Sequence, residues 1–498
     1  MSDRIEDVTV VGGGDSGLLA ALAVEKMNPG MEVSVIDNFG REVPQVGKST
    51  FLAIQHILHE TLDIDEQEFV TTVKPVWKAS VYFRDWCGYG DFHYPFDQNR
   101  KFPNPDEPDT NEAFYFYYEE LYDSEDHQSK CEELVSQEKS PWYFEPSEGG
   151  TRKYESVAYH LNTERFNGFL RDLCRDRGIS LVDDEIVTVD VAGDRIRRLR
   201  SKRQAYEADL YLDATGFSRV LRSEQDSEFR EFDLPLDTAL NARSDLSLKE
   251  VVPATVIDTG EAGWFWQIDT FDNRDRGYVY ASDYLSEGEA RAEFVDHCEG
   301  IDAEDVVTYE FSSGYHDRAW IENCVAVGNA EGFVEPLQST GLTANAKASV
   351  TLATLLSGHG GVADDAVRER YNAWVSQTWE SIYDFISVHY AYADGDTEFW
   401  RDVRDIDLSA RTELLIEDFD RNGFDTHVDP ATHSEHDALL FFQPLNFYAL
   451  MRNMGATSAF YETHDFEIGD EVRRAVDHHY GEIGDEVGEH YDHYEFLC

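Results

Sequence analysis

The chain is poor in basic residues, in cysteine and in long apolar runs, and each scarcity excludes a class of function. Of its 498 residues, 42 are Lys or Arg against 100 Asp or Glu, a formal net charge of −58 at pH 7. Such a field repels nucleic-acid phosphates and anionic lipid head groups, so neither nucleic acid nor a membrane surface is an expected partner. The acid is spread along the whole chain and lysines number only 11. That distribution predicts a halophilic source, because concentrated salt is what screens the self-repulsion. The six cysteines, Cys87, Cys131, Cys174, Cys298, Cys324 and Cys498, are widely spaced with no Cys-x-x-Cys pair. This argues against a zinc site or a disulfide framework and for a reducing compartment. No apolar run reaches the ~18 residues a membrane span needs. The first residues lead straight into a strand, so a cytoplasmic location is expected.

What is present reads as a compact, enzyme-sized α/β chain. An apolar strand at residues 8–11, a glycine break at 12–17, a helical pattern at 18–27 and a strand at 32–36 ending in Asp37 form a βαβ opening. Residues 51–62 carry helical periodicity, and residues 75–86 alternate. The alternation puts Trp77, Ala79, Val81 and Phe83 on one face, and Lys78 with Val76, Ser80 and Tyr82 on the other. Residues 104–139, with the run Phe114-Tyr115-Phe116-Tyr117-Tyr118, read as an acidic, aromatic insertion over a site or a surface. A helix at 164–178, strands at 179–182 and 186–191, and a strand at 208–216 ending in a glycine turn return the chain to the first sheet. Strands at 254–257 and 277–281 suggest an antiparallel platform; from residue 366 the pattern is mostly helical. In the polar tail His478, His479, His490 and His493 alternate with acids and tyrosines, which reads as a solvated surface, and no metal is expected.

Gly12, Gly14 and Gly17 fit Gly-x-Gly-x-x-Gly between strand and helix. The first allows the tight turn, the second lets a pyrophosphate approach and the third permits close helix packing. The N-terminus of the helix that follows offers its free N–H groups to phosphate, with Ser16 among the cofactor contacts, and Asp37 is placed to accept from a ribose hydroxyl. FAD is favoured over NAD by two further segments, Asp213-Ala214-Thr215-Gly216 and the loop of Gly328 and Asn329, since a simple dehydrogenase needs neither. The plain alternative for each is a turn between sheet elements.

Residues 333–342, Phe-Val-Glu-Pro-Leu-Gln-Ser-Thr-Gly-Leu, taken with residues 263–268, Gly-Trp-Phe-Trp-Gln-Ile, resemble the flavin-dependent halogenases of the tryptophan halogenase type. Trp264, Trp266 and Ile268 match the family's Trp-x-Trp-x-Ile-Pro, with Asp269 where the proline belongs; residues 46–50, 311–320 and 384–390 look like further family blocks. The resemblance implies a Rossmann-type, flavoprotein-monooxygenase-like fold with an antiparallel substrate platform and a mostly helical C-terminal part. It places an FAD module at about 1–55, 155–225 and 310–360, an inserted platform at about 56–154 and 226–309, and helices at 361–498 closing the substrate site.

The chemistry implied is that FADH2 from a separate reductase, with O2 and a halide (chloride or bromide), yields hypohalous acid. This passes through a tunnel to a lysine beside an electron-rich indole-, pyrrole- or phenol-like substrate, free or carrier-tethered. Lys78 in Val76-Trp77-Lys78-Ala79-Ser80 matches that lysine, against the plain reading of a lysine snorkelling from a half-exposed strand. The amides of Ser339, Thr340 and Gly341 match the halide site, and Pro336 joins the cofactor contacts. Trp264 and Trp266 match a wall against monooxygenation, core packing being the plain alternative. Two residues depart from the family pattern: Gln338 replaces a glutamate, with Glu335 as a substitute carboxylate, and Lys48 replaces another, adding a cation near the flavin. The departures keep open a flavin monooxygenase or other oxidoreductase, or a flavin-binding sensor without catalysis; a homodimer is also open.

Overall fold

The computed structural model describes residues 4–41, 46–97, 128–147, 149–423, 441–463 and 470–494. The aromatic run at 114–118 and Cys498 lie outside them. The chain divides into two units: Met1–Pro75, Leu161–Phe232 and Ser312–Ile382 form the first, and Val76–His160, Asp233–Phe311 and Tyr383–Cys498 the second.

In the first unit a six-stranded sheet runs in the order Ser180–Asp183, Glu32–Asp37, Asp7–Val11, Leu210–Asp213, Cys324–Ala326, Trp320–Ile321. Every pairing is parallel except the last, which is a short hairpin. Parallel strands are covered on both faces, which is why Val8, Val10 and Val11 are buried together with Thr9 between them. Helices Asp15–Met27, Thr163–Asp176 and Gly341–Gly358 belong to this unit. Asn28 ends the first of them and donates through Nδ2 to the Ala353 carbonyl at 3.0 Å, tying it to the third. Residues 51–62 are not the expected α-helix: His56–Thr61 is a π-helix, with Leu62 N–H donating to the Ile57 carbonyl at 2.9 Å. Apolar spacing alone does not separate the two windings.

The second unit is built on a seven-stranded sheet in the order Val307–Glu310, Thr238–Ser244, Arg274–Tyr280, Gly263–Asp269, Ala254–Gly260, Ser80–Arg84, Phe92–Pro95. It is the antiparallel platform expected, save that Ala254–Gly260 and Ser80–Arg84 run parallel. The alternating segment at 75–86 is two strands, not one. Val76–Lys78 pairs with Ala158–Leu161, Ala79 donates to the Pro253 carbonyl at 2.8 Å, and Ser80–Arg84 crosses to the large sheet. Both faces are buried around Lys78, which is 0 % exposed, so the half-exposed, snorkelling alternative does not hold.

A third sheet joins His490–Asp492 to Lys139–Glu145 and Gly150–Lys153. Here the reading of the histidine tail is corrected. His478 is solvated, but His490 and His493 are 3 % and 2 % exposed. The strand turns His490 inward to stack on Tyr143 at 4.7 Å while Tyr491 faces out, a period-two pattern that the surrounding acids hide. Among the described residues, no helix is long and apolar enough to cross a membrane.

Candidate active site

In the first unit the glycine loop has the geometry its spacing predicts. Gly12 sits at φ +111°, and a Cβ there would lie 2.2 Å from the Ala214 carbonyl oxygen; a Cβ on Gly17 would lie 2.0 Å from the Gly12 oxygen. Gly14 by contrast has open space above it and begins the helix Asp15–Met27 with no cap of its own, while in the first turn the Ser16 N–H donates to Asp15 Oδ1 at 2.7 Å. Asp37 fastens this loop: its Oδ2 accepts from Gly13 N–H and its Oδ1 from Asn38 N–H, each at 2.8 Å. The other two segments close on the same place. Asp213 accepts from Thr215 N–H at 3.0 Å and from Leu221 and Arg222 N–H at 2.8 Å, which shapes the turn through Gly216. Gly328, at φ +64°, packs so closely on Ser16 that a Cβ would lie 2.7 Å from it, and Asn345 Nδ2 donates to Ser16 Oγ at 3.4 Å. Asn329, beside Gly328, is half-buried, and Pro336 is exposed.

Two charged groups of this unit were not singled out by sequence reasoning. Asp15, inside the glycine motif, pairs with Lys48 at 3.0 Å. Burial, the largest single influence, pushes its carboxyl up, but the Lys48 ammonium together with the Ser16 N–H and hydroxyl holds it below the usual carboxylate value. Lys48 is therefore half of an ion pair and not an added isolated cation. Glu331 is buried and pushed up to about 8 by burial, against the hydrogen bond from Trp379 Nε1 and the nearby Arg222 and Arg219. It is a carboxylic acid at neutral pH. An acid inside a glycine loop opposite a lone lysine was the available signal for the first; no motif marks the second.

The segment 335–341 makes a turn with consecutive left-handed residues, Gln338 at φ 67° and Ser339 at φ 60°. Neither is glycine, so the conformation is held at a cost by its surroundings. Glu335, Gln338 and Thr340 are buried, and Thr340 Oγ1 has no hydrogen-bond partner. The Ser339 N–H closes the turn on the Pro336 carbonyl at 2.9 Å. Thr340 and Gly341 open the helix Gly341–Gly358, where main-chain N–H groups have no acceptor within the helix.

In the second unit Lys78 lies 5.2 Å from the Phe96 ring centroid, and burial holds its ammonium well below the usual lysine value. His160 stands opposite Val76 in the ladder, which puts it on the same face of the ribbon as Lys78. Its Nδ1 meets the Asp269 carbonyl at 3.1 Å and its Nε2 the Thr255 hydroxyl at 2.8 Å. A carbonyl only accepts, so Nδ1 carries the proton and Nε2 receives the Thr255 O–H. Burial, then Lys78, push its pKa well below the usual histidine value. Sequence reasoning missed His160, which belongs to no motif.

Trp264 and Trp266 share one face of their strand with ring centroids 6.2 Å apart. Trp264 Nε1 donates to Tyr390 Oη at 3.3 Å and Trp266 Nε1 to Asp275 Oδ1 at 3.1 Å. Trp266 lies flat over Gly277, where a Cβ would come within 1.9 Å of the ring. Asp269, in place of the family's proline, is fully buried and takes a fork from Arg274 at 2.6 and 2.8 Å and the Val252 N–H at 2.9 Å.

Residues 7–465 match the family model described as tryptophan halogenase. The chain is 31 % identical over 442 residues to a tryptophan 6-halogenase, SttH, of Streptomyces toxytricini, covering 81 % of this chain and 82 % of that one. It is 26 % identical over 485 residues to a tryptophan 7-halogenase, RebH, of Lentzea aerocolonigenes, covering 93 % and 89 %. Among solved structures, MibH, a lathipeptide tryptophan 5-halogenase, superposes with a TM-score of 0.85 at 26 % identity, covering 99 % of this chain and 93 % of that one. A Rossmann-type α/β fold, a glycine loop built for a dinucleotide and a match over nearly the whole length agree: the chain belongs to the tryptophan halogenase family and is a flavin-dependent enzyme.

Proposed function

We propose that the chain halogenates an indole-bearing, tryptophan-like substrate using FADH2, O2 and a halide, with Lys78 receiving hypohalous acid beside the ring. The observation that carries this is a fully buried lysine, its ammonium held well below the usual lysine value by burial, in a chain with 11 lysines. Burying an ionisable amine is costly, and structure alone does not require one there. The relatives' activities, tryptophan 6- and 7-halogenation, support that substrate class.

The residues present fit FAD. The open space at Gly14, at the positive end of the helix Asp15–Met27, suits the pyrophosphate, with Ser16, Gly216, Gly328 and Asn329 around it and Asp37 holding the loop. Bound FAD, reduced by a separate reductase, supplies the oxidation of halide by oxygen. Asp15 opposes phosphate at this helix end, and Lys48 neutralises it, so the pair leaves the anion site usable. Halide is held by the Thr340 and Gly341 amides at the start of an 18-residue helix, Ser339 serving to shape the turn. Trp264 and Trp266 keep water and bulk from the face they cover. Lys78 in its neutral form can take halogen from hypohalous acid as a haloamine, and as an ammonium it can donate a hydrogen bond to it.

The test is mass spectrometry of products after incubation in high salt with enzymatically reduced FAD, O2, chloride or bromide, and tryptophan among a panel of indoles, pyrroles and phenols. Halogen isotope pairs that vanish in Lys78→Ala are expected. A second reading, a flavin monooxygenase, is favoured by Gln338, because an amide is no base at neutral pH. Oxygenated products without halogen, unaffected by Lys78→Ala, would establish it.

A further inference from the structure

An amide at 338 leaves open which group receives the proton that departs from the ring as halogen enters. The second unit holds a candidate. His493 is 2 % exposed, and both its ring nitrogens are buried without a hydrogen-bond partner. A neutral imidazole carries one N–H and one lone pair, and among the described residues neither is satisfied, which leaves the ring able to meet a bound molecule.

The main chain is anchored at this residue and the next. The His493 main-chain N–H donates to the Glu138 carbonyl at 3.0 Å, and the next residue, Tyr494, has its ring centroid 5.5 Å from Lys249 Nζ. From Lys249 the chain runs to Pro253, whose carbonyl takes the Ala79 N–H at 2.8 Å, one residue from Lys78. His160 lies on the Lys78 face of the ribbon and interacts electrostatically with both Lys78 and His493. It cannot itself serve as a base, since Asp269 and Thr255 occupy both its nitrogens.

We propose that His493 is a catalytic base of this enzyme, accepting the proton displaced when halogen enters the aromatic ring beside Lys78; the assignment rests on the halogenase reading above. The C–halogen bond forms as the O–halogen bond of hypohalous acid breaks and hydroxide leaves. The C–H electron pair returns to the ring and its proton passes to the free His493 nitrogen. The imidazolium then gives that proton to hydroxide, leaving water, a neutral ring and the base restored. Burial, which pushes the ring down to about 4, keeps the lone pair available at working pH and makes the imidazolium a ready proton donor.

His493→Gln keeps a hydrogen-bonding side chain and removes the basic nitrogen. With reductase-supplied FADH2 and ring-deuterated against ordinary tryptophan, the variant should lose ~10²-fold in kcat with KM little changed. It should also show a primary deuterium isotope effect absent from the unmodified enzyme while still retaining FAD on gel filtration, which a misfolded variant could not do. In unmodified protein labelled with 15N-histidine, a ring resonance of the non-hydrogen-bonded type should shift when tryptophan is added without flavin. Undiminished kcat in His493→Gln, a loss without isotope effect, or no tryptophan-dependent shift overturns the assignment alone. No halogenation by the unmodified chain overturns the halogenase reading and this proposal with it.

Discussion

Lys78 shows most directly how a single residue's free energy and its chemistry oppose one another. Its folded pKa lies well below 10.5 while the unfolded chain titrates near that value, so the unfolded state binds more protons as pH falls from 10.5. Stability therefore rises with pH toward 10.5 and is depressed at neutrality. Lys78→Met should raise Tm at pH 7, flatten the alkaline rise and abolish halogenation; a Tm unchanged at pH 7 would show that the amine is not desolvated. Glu331 titrates in the opposite sense. Its carboxyl is raised from 4.5 to about 8, so its contribution is fully present below 4.5 and is lost as pH rises through about 8. Glu331→Gln should remove that decline between pH 4.5 and 8 in urea midpoints. At this scale the sequence was only partly legible. Gly12, Gly14 and Gly17 have roles that follow from spacing, because steric need at a turn is local. Lys78 was found by motif, but alternation, which reports two faces and not what covers them, put it among polar neighbours and left a half-exposed, snorkelling lysine as the alternative to a buried one. His160 and His493 were invisible, because only the ladder with Val76 puts the first on the Lys78 face and only the bond to the distant Glu138 carbonyl places the second.

Elements defined by a local period were legible; elements defined by a distant neighbour were not. The strand Asp7–Val11, the helix Asp15–Met27 and the strand Glu32–Asp37 stand where apolar runs and glycines put them. The break at Ala79 was missed because its cause, the Pro253 carbonyl, lies far along the chain. The parallel pairing of Ser80–Arg84 with Ala254–Gly260 was missed for the same reason, since no hairpin dictates its direction. The strand pair Gly263–Asp269 and Arg274–Tyr280 offers a clean test of packing. Gly277 leaves the space in which Trp266 lies, and a methyl group there would come within 1.9 Å of the indole. Gly277→Ala should cost ~1–3 kcal/mol of stability by overpacking, read as a fall in the urea midpoint. Gly17→Ala should instead abolish retention of FAD on gel filtration, since the methyl meets the Gly12 oxygen at 2.0 Å and opens the loop.

For the whole molecule the net charge of −58 sets the conditions under which everything else operates. Raising monovalent salt from 0.1 to 1 M shortens the Debye length from about 10 to 3 Å, so Tm should climb steeply with KCl; a flat response would remove the halophilic expectation. Acid opposes stability through buried neutral histidines: His316, His389 and His493 are pushed down from 6.5 to about 4, 3 and 4, chiefly by burial. Each contributes stability above pH 6.5 that is lost as the unfolded chain begins to bind protons below it, so a melting series should fall from pH 6.5 toward 4. The ribbon that joins His490–Asp492 to Lys139–Glu145 has a further consequence, one of timing. Ser140 precedes its partner His490 by 350 positions, which at ribosomal rates is a delay of roughly 18–70 s. Throughout that interval the strand Lys139–Glu145 presents an unpaired edge, the kind of edge on which nascent chains aggregate. The charges at its two ends, Lys139 and Glu145, are what keep that edge soluble while translation catches up.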